Sequence, residues 1–252
     1  MKRFLSLFII ALAFSSCQED VKFNNPGFQG LKDDVFWRAN DARAYVDASG
    51  KLRIEALTAY EIVTLNTSSA NIGTYVLGTT NANNSATYSS NFNNVALEYA
   101  TTPITGPVNS VAVINGGTGY TSDCELQPAP NPNNLYSCSS SHDTTGGSGS
   151  GLKVAIIENA GVVSSVIRVA SQGNGYAPGD IVTVSLGNVN CKLKVLNTVS
   201  SNGEIEITKY DDVNKTISGK FKFNAANSNG SPFGGPILNF QYGEFYKIPI
   251  YP

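Results

Sequence analysis

A two-residue alternation of apolar and polar side chains runs through most of this chain and leaves little room for helices. In "GEIEITKYD" at 203–211, Ile205 and Ile207 alternate with Glu204, Glu206 and Thr208. Successive side chains on a pleated strand point to opposite faces, so such a segment buries one face and wets the other. "KLRIEALTA" at 51–59 does the same, setting Leu52, Ile54 and Ala56 against Lys51, Arg53 and Glu55. It follows "ARAYVD" at 42–47 after Ala48, Ser49 and Gly50, a hairpin loop ending in glycine. "EIVTLNT" at 61–67, "GTYVLG" at 73–78, "SATYSS" at 85–90 and "NVALEYA" at 94–100 continue the pattern. "TISGKFKFNA" at 216–225 returns after the turn "DVNK" with Phe221 and Phe223 on one face. The last stretches, "PILNFQY" at 236–242 and "GEFYKIPIY" at 243–251, predict a hairpin hinged near Gly243, with Pro249 at an edge or an end. With 24 glycines and 14% charged residues, the composition is that of short strands joined by many turns. The expected class is all-β and antiparallel.

Between these halves lies a segment of different texture, bounded by Pro103, Gly106 and Pro107 before and by residues 200–203 after. It holds an internal repeat. "SVAVINGGTGYTSD" at 110–123 matches "SVIRVASQGNGYAPGD" at 165–180, and Gly117, Gly119 and Tyr120 recur as Gly173, Gly175 and Tyr176. Each copy predicts a strand, a Gly-rich bend and a tyrosine whose ring covers the bend. "LKVAII" at 152–157, "DIVTVSL" at 180–186 and "CKLKVL" at 191–196 supply further strands. Residues 127–151 contain Pro128, Pro130 and Pro132 and end in "SSSHDTTGGSGSG", which predicts an exposed, flexible loop. The expected architecture is therefore an antiparallel β-sandwich host domain, residues 31–105 and 201–252, interrupted by an inserted β-repeat domain at 107–199.

The start of the chain carries an address. Lys2 and Arg3 precede the apolar run Phe4 to Phe14, which Ser15, Ser16 and Cys17 close. That is the order of an export signal, and the run is well short of the about 20 apolar residues a membrane span needs. "FSSC" at 14–17 resembles the lipobox that lipoprotein signal peptidase reads, with Phe14 in place of the usual leucine. The resemblance implies cleavage after residue 16 and acylation of Cys17; two acyl chains hold a protein on a bilayer stably. Gln18, Glu19 and Asp20 resemble the short acidic tag of lipoproteins sent to the cell surface, or else belong to a solvated tether over residues 17–30. The expected location is the outer membrane, at the cell surface or on its periplasmic face.

Composition excludes some chemistry. The net charge is −2 before Lys2 and Arg3 leave with the signal, and no Lys/Arg-rich run exists to bind nucleic acid. Besides Cys17 the cysteines are Cys124, Cys138 and Cys191, and an oxidising compartment makes Cys124 with Cys138 the first-choice disulfide, Cys124 with Cys191 the second. His142 is the only histidine, which leaves a zinc site without its usual ligands; no cofactor is implied. "GNGYAPG" at 173–179 has the look of a phosphate loop, but a strand follows where a helix N-terminus is needed. His142 and Asp143 beside serines lie in the predicted flexible loop, where no triad can be held. No GxSxG, HExxH or Walker pattern occurs. Glu55, Glu98, Glu204 and Glu206 are candidates for a glycosidase pair, each of which also reads as the wet face of a strand. Asp211, Asp212 and Asn214 offer oxygen ligands to calcium or, alternatively, ordinary turn chemistry. Tyr120, Tyr136 and Tyr176 are candidate ligand-facing aromatics, with covering a bend or filling a core as the other reading.

Two of these elements, "GTY-L" (Gly73, Thr74, Tyr75, Leu77) and a late hairpin (Ile205, Ile207, Thr208, Tyr210, Asp211, then Ile217, Ser218, Gly219, Phe221, Phe223), carry a resemblance. They resemble a family of Bacteroidetes-type surface lipoproteins of unknown function. The GxGY repeats are similar to short β modules of phage tails and bacterial surface proteins, and Asp143, Thr144 and Thr145 resemble a bacterial O-glycan acceptor centred on Thr144. The resemblances imply a surface-displayed β protein and carry over no catalytic residue. The expected function is a non-enzymatic module, anchored to the membrane, that binds a glycan or protein partner through the inserted domain. A carbohydrate-active enzyme with a carboxylate pair and a structural envelope protein without a small ligand are the alternatives; the oligomeric state is open.

Overall fold

The computed structural model describes residues 27–126 and 136–252. The signal sequence, Cys17, residues 17–26 of the tether and residues 127–135 of the Pro-containing loop lie outside the described residues. Eight strands come first: β1 (Gly27–Lys32), β2 (Val35–Arg38), β3 (Asp41–Val46), β4 (Leu52–Leu57), β5 (Glu61–Thr67), β6 (Gly73–Leu77), β7 (Ser85–Phe92) and β8 (Val95–Ala100). Then come β9 (Val108–Asn115), β10 (Cys124–Leu126), β11 (Tyr136–Cys138), β12 (His142–Gly146), β13 (Ser150–Asn159), β14 (Val162–Asn174), β15 (Ile181–Val184) and β16 (Lys192–Thr198). The chain ends with β17 (Asn202–Asp211), β18 (Thr216–Asn227) and β19 (Ile237–Tyr251). The protein is all-β and sandwich-like, and nearly every pairing is antiparallel.

The larger sheet folds over itself into two layers. One is β2-β1-β19-β18-β17-β6 and the other is β3-β4-β5-β7-β8. Two long strands turn the corners between them. β18 pairs with β19 for most of its length and meets β8 only at Ala226 and Asn227. β19 leaves β18 at Pro249 and pairs in parallel with β3 at Ile250 and Tyr251. The layers enclose one core in which Phe28, Trp37, Phe221, Phe223, Phe240 and Phe245 meet the small side chains of Ala42, Ala44, Ala56 and Ala86. Ring centroids lie 4.8 Å apart for Phe28 and Phe221 and 5.2 Å for Phe223 and Phe240. Large rings from one layer can fill the space only because the facing layer is alanine-rich; each fully buried ring contributes about 1.5–3 kcal/mol.

One polar cluster ties the layers at the rim. Glu61 on β5 accepts hydrogen bonds from the Lys32 ammonium, from the Tyr88 hydroxyl at 2.6 Å and from Trp37 Nε1 at 2.7 Å. Burial pushes the Glu61 carboxyl up, but these three donors and the Lys32 charge outweigh it and hold the group below the usual carboxylate range.

The second sheet has the order β14-β13-β12-β15-β16-β9. It curls until its ends meet, with Val163 N donating to Gly116 O at 2.9 Å and Tyr120 N to Gly161 O at 3.1 Å. Its core is Val108, Leu152, Val154, Ile156, Val182, Val184, Leu193 and Val195 with Tyr120 and Tyr176. The two chain crossings between the sheets are stitched together. Val199 N donates to Pro107 O at 2.9 Å, Ser201 Oγ to Thr102 O at 2.6 Å, and Asn197 Nδ2 to Leu77 O at 2.9 Å.

Three expectations need correction. Residues 27–30, assigned to the tether, begin β1, where Phe28 is buried in the core; one aromatic between glycines carries too short a pattern to announce a strand that pairs with β2 and also with β19, more than 200 residues away in sequence. The described part of the flexible loop 127–151 is ordered, with β11 and β12 in it and β12 inside the second sheet. The final hairpin is instead the single strand β19, and Gly243 is buried at a bulge within it.

Replacing Glu61 with Gln keeps the shape and removes the charge that three donors share. Glu61→Gln is expected to lower unfolding free energy by about 1.5–3 kcal/mol near neutral pH, the range for hydrogen bonds to a charged group. Because the folded-state value of Glu61 is depressed, its contribution is present above the unfolded-state value and disappears as pH falls through the folded one. Urea titrations should therefore show the deficit shrinking on acidification.

Candidate binding groove

The tyrosines of the repeat face inward. Tyr120 is 4% exposed and Tyr176 1% exposed. The Tyr120 hydroxyl donates to Val184 O at 3.1 Å and accepts from Cys191 N at 2.9 Å. The Tyr176 ring lies so close to Gly149 that a β-carbon there would come within 2.6 Å of it. Neither ring can meet a ligand, and the ligand-facing reading is corrected to that of bend-covering core residues. Tyr136 on β11 is 41% exposed.

Cys124 and Cys138 face each other across the β10–β11 ladder and form a disulfide. Cys191 is a buried free thiol that burial pushes up to about 11, which leaves it unreactive. His142 is 6% exposed, not mobile as expected. Its Nε2 lies 3.1 Å from Asp123 Oδ2 but off the line of a hydrogen bond, so the pair is a close contact only. Asp123 takes its hydrogen bonds from the Ser140 hydroxyl and from Ile156 N at 3.0 Å. Thr144 sits in β12, half-buried, with its hydroxyl donating to Leu152 O at 3.0 Å, so the exposed setting expected of a glycan acceptor is absent.

The acidic candidates lie on wet faces. Glu55 pairs with Arg53, Glu204 pairs with Lys222 at 3.0 Å, and Glu206 stands opposite Lys220 in the β17–β18 ladder. Glu98 is exposed on β8. Asp211 accepts from Asn214 N at 3.0 Å, and chiefly this bond holds its carboxyl at about 2. The Asp211–Asn214 cluster is a turn. Among the described residues no group of three or more His, Cys, Asp or Glu side chains could hold a metal ion.

What the structure does bring together was not read from the sequence. Along β19, Phe223 pairs with Phe240 and Phe221 with Gly243, so Lys222 faces two residues, Gln241 and Tyr242. On the other side the register with β1 slips between Gln29 and Leu31 at the same place. This bulge throws Tyr242 outward, 84% exposed and with φ at +50°. A left-handed conformation costs a bulky residue about 1–2 kcal/mol. Gly243 makes the bulge possible, since a β-carbon there would fall 2.6 Å from the Phe221 ring beneath.

Tyr242 and Gln241 stand at one wall of an open hollow of about 330 Å³ whose other side is Glu204, Glu206, Lys220 and Lys222. A second hollow of about 530 Å³ shares Glu204, Lys222 and Gln241 and runs on across the junction between the sheets to Asn202, Asn197, Asn109 and Ser110. There the buried Asn197 Oδ1 accepts from Ser110 Oγ at 2.6 Å and from Asn109 Nδ2 at 3.1 Å, which fixes the floor. The result is one groove with an aromatic at one end, amides at the other and paired charges between.

A family model described as "Domain of unknown function (DUF6252)" matches residues 24–120 and 154–249. The chain belongs to this family. No curated protein matches it, and no solved structure does. The DUF6252 match contains every residue named in the groove, whereas the stretch it skips, 121–153, contains the disulfide, His142 and Thr144. The groove thus lies within the family's own pattern and the disulfide hairpin outside it.

Burial separates the aromatics by what they hold up. Tyr176→Ala is expected to cost about 3–5 kcal/mol, as for other large core truncations, whereas Tyr136→Ala should stay within about 0.5 kcal/mol. Denaturant unfolding of the two variants measures both.

Proposed function

We propose that this DUF6252 protein is a lipoprotein, acylated at Cys17 and displayed at the outer membrane, that acts as a non-enzymatic binding module through the groove on β17, β18 and β19. The observation that carries the binding reading is Tyr242, a large ring held in a strained backbone conformation and given to solvent at the edge of a groove. Strain of this kind persists only where the surrounding structure over-determines it, and it clusters at sites with a task. The groove's carboxylates stand against lysines, no histidine or cysteine joins them among the described residues that line it, and its Ser110 hydroxyl is given to Asn197 Oδ1 at 2.6 Å. That composition suits holding a partner rather than transforming it.

The location rests on Lys2, Arg3, the apolar run to Phe14 and the Ser15-Ser16-Cys17 junction. Cells fed a fatty-acid probe should label the wild-type chain and leave Cys17→Ser unlabelled, and protease added to intact cells should remove the mature chain. Labelling of the serine variant would end the lipoprotein reading. For binding, a photo-crosslinking amino acid at position 241 should give discrete adducts on intact cells, while the same group at Val213, an exposed turn residue, gives none. Equal results at the two positions would remove the groove as a binding face.

A further inference from the structure

The groove's occupant has a chemistry that its walls describe. We propose that it takes an uncharged oligosaccharide chain, with Tyr242 as the surface on which a sugar ring stacks; the inference rests on the binding reading above and names its ligand. Four observations converge. First, Tyr242 presents its ring freely, and among the described residues no other aromatic lies against it. The negative face of an aromatic ring attracts the polarised C–H bonds on one side of a sugar. By contrast the exposed Tyr60 and Phe92 lie edge to face against each other, ring centroids 5.0 Å apart.

Second, the charges lining the hollow balance. Glu204 pairs with Lys222, and Glu206 stands opposite Lys220, so two carboxylates meet two ammonium groups with no net charge offered to a phosphate, a carboxylate or a cation. Third, the remaining polar groups are amides. The Gln241 side chain is half-buried and makes no hydrogen bond among the described residues, while Asn202 and Asn109 each give their NH₂ to fixed acceptors. An amide carries both donors and an acceptor, which matches the hydroxyl groups of a sugar. Fourth, two adjoining open hollows of about 330 and 530 Å³ form a passage rather than a closed pocket. Sites of this total size hold several rings in a row, and an open passage suits the interior of a chain.

The test uses the full lipidated protein in detergent micelles on an array of neutral and acidic glycans, with three variants. The wild type should bind neutral chains. Tyr242→Ala should lose about tenfold in affinity or more, and Tyr242→Phe should stay close to wild type, because the ring and not the hydroxyl makes the contact. Tyr242→Asn should melt at a higher temperature than wild type, since asparagine tolerates the left-handed region, while binding as poorly as the alanine variant. That combination cannot arise from misfolding. Absence of any glycan binding, preference for acidic glycans, or full binding by Tyr242→Ala would each overturn the sugar assignment. Crosslinks from position 241 to a protein would also overturn it while leaving the binding reading standing.

Discussion

Two strands, β18 and β19, have to serve both layers of the sandwich, and β19 shows most plainly what that demand costs. β19 pairs with β1 and β18 in one layer and then with β3 in the other. A regular strand cannot change layers over fifteen residues without extra twist, and bulges supply it. β19 has two, where Tyr242 and Lys247 adopt positive φ at +50° and +49°. The Lys247 bulge is satisfied internally, because Lys247 N donates to Ser218 Oγ at 2.9 Å. The Tyr242 bulge has no such internal use for its side chain. The aromatic cluster of Phe28, Phe221, Phe240 and Phe245 beneath it supplies the burial that offsets the strain.

The groove follows from the same geometry. By facing Lys222 with two residues, the bulge opens the surface over β17 and β18 and raises one side of it. The second sheet contributes the far end through Asn109, Ser110 and Asn197, at the place where the chain crosses between the sheets. Those crossings are cross-braced by Val199 with Pro107 and Ser201 with Thr102, so the two ends of the groove are held in one relative position. Preorganisation of this kind spares a ligand the cost of ordering the site.

Much of the fold was legible in the alternation. Leu52, Ile54 and Ala56, or Ile205 and Ile207, are buried where the two-residue period places them. What period alone hides is a change of phase. In β19 the buried positions run Leu238 and Phe240, then Gly243 and Phe245, then Ile248, so the parity flips at Tyr242 and again at Lys247. Read as a turn, Gly243 suggested two strands; read as a phase slip, it marks a bulge that turns Tyr242 outward beside it. The tyrosines of the repeat were legible as aromatics but not as to side, because a ring over a glycine bend and a ring offered to a ligand leave the same letters. Asp123 and Asp180 close the two copies and went unread as well, although each takes serine hydrogen bonds: Ser140 on Asp123, Ser148 on Asp180.

Those two aspartates show what the repeat is for. In both copies a strand, a glycine bend, a covering tyrosine and an aspartate that gathers nearby donors form one closed unit, and both tyrosines point into a shared core. Tyr120 and Tyr176 are thereby spent inside the module, while Tyr136 stays exposed. The module closes on itself, presses Gly106 against Tyr176 through a backbone pair at 2.8 and 3.1 Å, and so fixes the start of β9, which carries Asn109 and Ser110 to the groove. The stretch 121–153 that the family pattern skips adds the Cys124–Cys138 disulfide and the close contact of Asp123 with His142. The repeat thus acts as a brace on the seam between the sheets, where the proposed groove lies.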